Sequence, residues 1–273
     1  MSTEKEESSP LYISSRGKRA LKPPLPYLGS FFQALQDPCH PSNNPHGRIA
    51  LCVAENKLVL PALSKRLNQS STSAVFEEFD NYCYNDMRGI MSVRESVARF
   101  LSRKFYKSDG IDANNVILGS GCAGLLNGLF LSLCEEQEVV LIPAPYYAAF
   151  ESDMKVLAKL VPFPVHMQNP ETGPTDVDLD IAFETCKEQG LNVKMLLLTN
   201  PNNPLGTVYA PEIIQNCINW ARSKGDIHTV VDEIYALSIH EPADSKFKSV
   251  LEILDNELSH DVHFLWANMK VKT

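Results

Sequence analysis

The chain has 273 residues, of which 44% are hydrophobic and 21% are charged, and its formal net charge is -8. This length and composition are typical of a globular protein with one large α/β domain, or one domain and part of another. The negative charge argues against a protein that binds nucleic acid through phosphate contacts.

The cysteines and the apolar runs indicate the cellular compartment of the protein. Seven cysteines are scattered without a CxxC pair or a Cys/His cluster at zinc spacing, which predicts reduced thiols and no metal site. No apolar run approaches the roughly 20 residues that span a bilayer, and charged residues occupy the first twenty positions. We therefore expect a cytoplasmic protein without a membrane partner.

The N-terminal segment differs in composition from the rest of the chain. It is rich in Ser, Pro, Asn and charge up to about residue 46, which favours a partly disordered arm over residues 1–48. Order begins near residues 49–54, and apolar residues spaced by four predict a helix from about Ser92 to Phe105. We expect one domain over residues 49–273.

Strands alternate with helices from Val116 onward. The predicted strands cover residues 116–118, 139–142, 160–163, 195–198, 229–232 and 263–266. The predicted helices cover residues 125–134, 150–158, 178–188, 211–225 and 249–258. This alternation predicts a mainly parallel sheet between helices, with ligands bound at the carboxyl ends of the strands.

Two nucleotide-binding motifs are only partly matched. Gly119, Gly121 and Gly124 form a GxGxxG pattern after a predicted strand, but the next strand ends at Ile142-Pro143-Ala144 and supplies no acid for a ribose. The run Val230-Val231-Asp232-Glu233 resembles the magnesium-binding strand of an ATPase, but no GxxxxGK[ST] loop accompanies it. Neither a dinucleotide nor an ATP site is predicted.

The strand ends together suggest another cofactor. The Gly119–Gly124 turn can bind one phosphate through backbone amides and a helix start. Tyr147, Asn203, Asp232 and Tyr235 follow three further strands. An aromatic ring for stacking, an amide and a phenol for an oxygen, and a buried acid for a ring nitrogen suit pyridoxal phosphate. Such a site needs a lysine for the Schiff base.

Four segments carry a resemblance to a known family. The sequence resembles the fold-type I pyridoxal-phosphate enzymes, and within them the 1-aminocyclopropane-1-carboxylate synthase-like branch of the class I/II aminotransferases. The segments are Val53-Ala54-Glu55-Asn56, Pro143-Ala144-Pro145-Tyr146-Tyr147, Asn200-Pro201-Asn202-Asn203-Pro204-Leu205-Gly206 and Val231-Asp232-Glu233-Ile234-Tyr235. The resemblance covers about residues 49–270 and implies the large domain of a PLP-dependent transferase.

The resemblance assigns a role to each matching residue. The backbone amides of Cys122 and Ala123 are expected to bind the cofactor phosphate, and Tyr147 to stack on the ring, with Tyr146 as the alternative. Asn203 and Tyr235 are expected to hydrogen-bond the phenolic oxygen, Asp232 to pair with the ring nitrogen, and Glu55 to lie at the substrate. These roles imply an amino-acid substrate, which includes S-adenosylmethionine in the synthase branch, and a homodimer.

Lys270 is the expected catalytic lysine. It stands 38 positions after Asp232 (270 − 232) and directly after a predicted strand, where the family places its Schiff-base lysine. The resemblance makes Lys270 the residue that binds the cofactor covalently and removes the Cα proton of the substrate. The alternative is a solvated lysine near the chain end.

The chain departs from the family pattern at two places. Met269-Lys270-Val271 replaces Ser-Lys-Asp, and the chain stops at Thr273, before the family's arginines and its small domain. This predicts a C-terminally truncated or alternatively spliced product, or a mis-called gene end. Met87 stands where the synthase branch has a tyrosine that reaches the neighbouring subunit's cofactor. Aminotransfer, and a non-catalytic fragment that pairs with a longer form, therefore remain alternatives to synthase chemistry.

Overall fold

The computed structural model describes residues 13–21, 25, 27–52, 58–106, 110–239, 247–254 and 260–266. The chain divides into two compact units, Met1–Val53 and Ala54–Thr273. The predicted catalytic lysine Lys270 and the predicted substrate residue Glu55 lie outside the described residues. No helix of the described ranges is long and apolar enough to cross a membrane.

The first unit contains two helices that the sequence analysis did not predict. Helix α1 spans Ser15–Ala20 and helix α2 spans Leu28–Gln36. The chain after α2 folds back on itself, because the backbone N–H of Arg48 donates to Asp37 O at 2.7 Å. The Arg48 guanidinium also donates to Gln33 Oε1 on α2 at 3.0 Å. Local hydrogen bonds therefore join the described residues around Asp37 and Arg48 to helix α2.

A five-stranded sheet forms the centre of the second unit. Its strands are β1 (Val139–Ala144), β2 (Val161–His166), β3 (Val193–Thr199), β4 (His228–Asp232) and β5 (Val262–Leu265). Their order is β2-β1-β3-β4-β5, and all neighbours are parallel. The carboxyl ends of all five strands therefore lie at one edge of the sheet.

The helices of the second unit connect and cover these strands. They are α3 (Leu60–Leu67), α4 (Ser70–Ser73), α5 (Met91–Phe105), α6 (Gly121–Leu133), α7 (Phe150–Asp153), α8 (Asp176–Glu188), α9 (Pro211–Ser223) and α10 (Val250–Ile253). A π-helical turn, Met154–Ala158, continues α7. Helix α8 begins with a capping box in which the Thr175 hydroxyl accepts from the backbone of Asp178.

The two faces of the sheet are covered by different helices. On one face, Leu197 and Val230 pack against α6 and α7. On the other, Leu198 and Val231 pack against α8, α9 and α10. Because side chains alternate along a strand, Asp232 extends the face of Val230, and Glu233 extends the face of Val231. The mainly parallel sheet between helices confirms the predicted α/β fold.

Most predicted elements of the second unit are present, with three corrections. Residues 116–118 form no strand; they follow a 3-10 turn, and the Leu118 N–H donates to Arg88 O at 2.8 Å. Helix α6 begins at Gly121 and includes the glycine-rich turn, so the predicted start at residue 125 was four residues late. The last strand ends at Leu265, and α10 ends at Ile253. Residues 255–258 of that predicted helix lie outside the described part.

Candidate active site

Asp232 lies buried at the carboxyl end of the central strand β4. Only 4% of the residue is exposed, and its Oδ1 accepts a hydrogen bond of 3.1 Å from the Ile234 N–H. Burial raises the pKa of Asp232 to about 7, which the Ile234 hydrogen bond opposes. No basic side chain among the described residues pairs with Asp232, so no cation of this part of the chain offsets the charge of its carboxylate.

Asn203 and Tyr235 meet across two loops at the same edge of the sheet. Asn203 Nδ2 donates to the Tyr235 hydroxyl at 2.7 Å. The loop of Asn203 follows β3 and is held by its own asparagines: Tyr209 N–H donates to Asn200 Oδ1 at 2.9 Å, and Leu205 N–H donates to Asn202 Oδ1 at 3.2 Å. The asparagine-rich motif therefore folds the loop that presents Asn203.

The N-terminus of helix α6 lies close to Asp232. Gly121, its first residue, has φ +76°, a conformation that glycine adopts without strain. Burial raises the pKa of the Cys122 thiol to about 12, and the negative charge of Asp232 adds to this effect. Free backbone N–H groups at the start of a 13-residue helix attract an anion.

Electrostatic contacts place the predicted site residues together. Burial raises the pKa of Tyr235, the Asn203 hydrogen bond opposes this, and Asp232, Tyr147 and Cys122 raise it further. Three separate chain segments therefore act on one phenol. The structure brings together five of the predicted side chains at the carboxyl edge of the sheet: Cys122, Tyr147, Asn203, Asp232 and Tyr235.

Tyr146 and Tyr147 have different surroundings. Tyr146 packs against the core on the α6 face, and its hydroxyl donates to Glu151 Oε1 at 2.6 Å. Tyr147 is 41% exposed, and its ring meets Phe150 edge-on with 5.4 Å between the centroids. Tyr147 thus has the more accessible ring, as stacking on a ligand requires.

Three buried polar groups beside the site were missed by sequence reasoning. Thr199 pairs in register with Asp232, and its hydroxyl has no partner in the described part of the chain. Asn200 and Glu233, the next residues on each strand, are fully buried. The sequence shows that a polar residue follows an apolar strand. It does not show that the residue is buried, because burial depends on how the helices pack on the sheet.

A buried arginine fixes the loop that carries Met87. Arg94 on α5 donates to Gly89 O at 2.9 Å, Ala113 O at 3.1 Å and Asp86 Oδ2 at 2.8 Å. Met87 itself is 83% exposed. The loop is therefore held by its ends while its tip faces outward.

Comparison with known proteins identifies the family. The family described as "Aminotransferase class I and II" matches residues 49–265. The chain belongs to the aminotransferase class I and II family. Membership implies dependence on pyridoxal phosphate (PLP), and the confirmed resemblance includes the synthase-like branch, as the individual relatives show.

The curated relatives are longer than this chain. It is 36% identical over 234 residues to "1-aminocyclopropane-1-carboxylate synthase-like protein 1" of Bos taurus, covering 83% of the chain and 46% of the relative. It is 34% identical over 247 residues to "Probable inactive 1-aminocyclopropane-1-carboxylate synthase-like protein 2" of Mus musculus, covering 88% and 42%. The chain thus spans about half the length of the curated relatives it matches.

A solved structure shows the same fold. The crystal structure of an archaeal alanine:glyoxylate aminotransferase superposes with a TM-score of 0.71 and 21% sequence identity, covering 94% of this chain and 59% of that one. At this identity the similarity concerns the fold. It supports the assignment of the second unit as a PLP-transferase-like α/β domain.

The described residues of this aminotransferase-family chain fit the cofactor. Asp232 has a raised pKa because it is buried without a cationic neighbour among them, and a protonated ring nitrogen would supply the missing charge. The start of α6 offers backbone donors to a phosphate, and Asn203 and Tyr235 offer two polar groups 2.7 Å apart to one oxygen. Among the same residues, no cluster of three metal-ligating side chains occurs.

Proposed function

We propose that this chain is the cofactor-binding part of a PLP-dependent enzyme of amino-acid metabolism. The observation that carries the proposal is the buried Asp232, whose carboxyl group lies beside the start of α6 and the Asn203–Tyr235 pair. Family membership supports the same cofactor. Bound PLP withdraws electrons from the substrate and makes bonds at its Cα easier to break.

Different described residues would bind different parts of the cofactor. The backbone amides of Cys122 and Ala123 would hold the phosphate at the helix start, where their charge and direction favour an anion. Tyr147 would cover one face of the ring, while Asn203 and Tyr235 hold its oxygen. Asp232 would be ionised against the ring nitrogen, since a cation at a buried carboxylate lowers its pKa.

Two residues beyond the described ranges complete the proposal. Lys270 would hold the cofactor covalently, and its amine would serve as the general base for the Cα proton of the substrate. Glu55 would contact the substrate. Tyr235 would act with Lys270, because its hydroxyl is one of the two polar groups that would hold the cofactor oxygen. These assignments rest on the family pattern at Lys270 and Glu55.

The substrate is proposed to be an amino acid. Relatives are named as synthase-like proteins, so S-adenosylmethionine is one candidate, and aminotransfer is the other reaction type that the family offers. Met87 has no hydroxyl group to contribute to a neighbouring site, which favours chemistry other than ring formation. A non-catalytic role is the second candidate, and the relative named "Probable inactive" supports it.

A homodimer is supported by exposed apolar residues in the second unit. Helix α3 has no buried residue, and the segment that follows it exposes large apolar side chains, with Tyr84 97% exposed. Phe76, Phe79 and Tyr82 of that segment are also exposed, as are Leu63 and Leu67 on α3 and Leu58 before it. Exposed large apolar side chains that lie close together in the chain favour an interaction site. A second copy of the chain, or a longer form of it, is the proposed partner.

A reducing compartment such as the cytoplasm is proposed on the cysteines. All seven are unpaired in the structure. Secreted proteins of this size more often join such residues in disulfides.

The proposal is tested by the visible spectrum of the chain mixed with PLP, before and after borohydride, followed by peptide mapping. We expect a protein-bound absorbance band, and borohydride should fix the cofactor on the peptide that contains Lys270. Lys270→Ala should abolish the fixed label, whereas Lys104→Ala, which removes an exposed lysine of α5, should not. If the folded chain shows no absorbance band that depends on Lys270, the catalytic role is refuted and the non-catalytic role is favoured.

A further inference from the structure

Two fully buried polar residues follow the paired ends of the central strands. Thr199 on β3 and Asp232 on β4 are partners in the sheet, and the next residues are Asn200 and Glu233. Both have 0% exposure. The Asn200 N–H donates to Asp232 O at 3.0 Å, so the hydrogen-bonded pairing of the two strands continues to this point.

In each of the two side chains, one polar atom has a hydrogen-bond partner. Asn200 Oδ1 accepts from the Tyr209 N–H at 2.9 Å, and Glu233 Oε1 accepts from the Val250 N–H at 2.6 Å. The Ser249 side chain also favours the ionised form of Glu233 and so lowers its pKa. The other atoms, Asn200 Nδ2 and Glu233 Oε2, are buried and have no hydrogen-bond partner in the described part of the chain.

Leaving both atoms unpaired would be costly. A buried polar atom without a partner loses its hydration and gains nothing in return, so such atoms are usually paired with protein or an ordered water. Asn200 Nδ2 can only donate. Burial raises the pKa of Glu233 to about 8, Ser249 and Val250 oppose this, and the charge of Asp232 adds to it. A neutral Glu233 can therefore present an O–H at Oε2.

A water molecule suits both groups in either state of the acid. Its two lone pairs can accept from Asn200 Nδ2 and from the O–H of neutral Glu233, and it can donate to Glu233 when the acid is ionised. Buried waters bridge polar groups that the chain alone leaves unpaired.

We propose that one buried water joins Asn200 Nδ2 to Glu233 Oε2, and that Asn200 and Glu233 are positioning residues for the cofactor site. The bridge would tie the loop that carries Asn203 to the turn that carries Tyr235, from the sheet face opposite Asp232. It would also anchor that turn to the start of α10 through Val250. This inference rests on the proposed function, because Asn203 and Tyr235 act there on the cofactor.

The water itself is tested by a crystal structure of the cofactor-free chain. We expect an ordered water within about 3.2 Å of both Asn200 Nδ2 and Glu233 Oε2. The proposal is overturned if the space holds no water, or if either atom instead bonds to another protein group.

The positioning role is tested by a double-mutant cycle on PLP affinity, at a temperature where circular dichroism shows every variant folded. Asn200→Ala and Glu233→Ala should each weaken binding by about tenfold, and the double variant by about the same factor, because the two residues share one bridge. Glu233→Gln keeps an acceptor for Val250 and a donor for the water, so it should stay within about twofold of the wild type. Asn219→Ala and Glu212→Ala, two exposed positions on α9, are the controls.

The outcomes separate this inference from the proposed function. The positioning role is refuted if the losses of PLP affinity in the two single variants add up in the double variant. It is also refuted if the variants unfold at a lower denaturant concentration but bind PLP as tightly as the wild type, because Asn200 and Glu233 would then only stabilise the fold. If the wild type binds no PLP, the proposed function fails. The crystal structure and a urea-unfolding cycle on the same four chains would then still decide whether the water bridge exists.

Discussion

Asn203 and Tyr235 are 32 residues apart in the chain, yet the amide of Asn203 donates to the hydroxyl of Tyr235 at 2.7 Å. The two loops that carry them leave adjacent parallel strands, β3 and β4. Parallel strands end at one edge, so the fold rather than the local sequence creates this contact. The pair is a ready-made binding point for one oxygen atom.

Removing either polar group should weaken cofactor binding. Asn203→Ala and Tyr235→Phe each delete one hydrogen bond to the proposed oxygen, so we expect a loss of about tenfold in PLP affinity for each. Equilibrium titration of the PLP absorbance measures this. Tyr82→Phe, an exposed tyrosine whose hydroxyl bonds Phe76 O, is the matched control and should bind like the wild type. Unchanged affinity in Asn203→Ala would remove Asn203 from the site.

Two glycines of helix α6 should respond in opposite ways to alanine. Gly121 has φ +76°, so Gly121→Ala forces a left-handed conformation on a residue with a side chain and should cost about 1–2 kcal/mol of stability. Gly128 lies inside α6 with no atom within 4 Å of the added Cβ, so Gly128→Ala should stabilise by up to about 1 kcal/mol.

Urea unfolding of both variants compares these effects directly. Gly121→Ala should in addition weaken binding of PLP, because the turn of the helix start sets the direction of the phosphate-binding amides. Equal stability of the two variants would show that Gly121 can relax out of its positive φ.

Stability of the cofactor-free chain should fall as pH rises from about 4.5 to 8 because of Glu233. The pKa of Glu233 is raised by burial from 4.5 to about 8, so the folded state favours the neutral acid. This stabilisation is complete below pH 4.5 and is lost as pH rises through 8. Glu233→Gln stays neutral and should therefore gain stability relative to the wild type, more at pH 8 than at pH 5.

Denaturant unfolding of Glu233→Gln at both pH values makes the comparison. The exposed Glu212→Gln should show no such pH-dependent difference. A constant difference between Glu233→Gln and the wild type across this range would mean that Glu233 is ionised in the folded chain.

Arg94 should contribute much more to stability than its neighbour Arg88. Both bind Asp86, but Arg94 is fully buried and also bonds Gly89 O and Ala113 O, whereas Arg88 is about half exposed. Arg94→Met removes a fully buried cation with three hydrogen bonds to part-buried acceptors and should cost about 2–5 kcal/mol. Arg88→Ala removes an exposed ion pair and should cost less than about 1 kcal/mol. Equal losses in urea unfolding would contradict this difference.

The sequence predicted the carboxyl edge of the sheet well. The apolar run before Asp232 can only be a strand with both faces covered, and this places Asp232 and Tyr235 at its end. The asparagine-proline motif after Leu198 marks the neighbouring strand end with equal clarity. An apolar run that is followed by turn residues therefore predicts both the strand and the position of the site residues at its end.

Other features depend on tertiary packing and escaped prediction. Val116-Ile117-Leu118 has the composition of a strand, but a hydrogen bond to Arg88 takes the place of a sheet partner. Helix α3 has no buried residue, so it has no buried face from which the helix could be predicted. The alternation of Asp232 and Glu233 between opposite faces, and the burial of Asn200, become visible only once the helices on both faces are placed.

Two buried and two half-buried cysteines allow the unfolding of the chain to be followed by thiol labelling. Burial raises the pKa of Cys122, Cys134 and Cys217 to about 12 and that of Cys186 to about 11, so these thiols hold their protons at neutral pH and react slowly with alkylating reagents. Cys52 and Cys83 are exposed. A timed alkylation would thus label the surface thiols first, and modification of Cys122 would record each opening of the helix start beside Asp232.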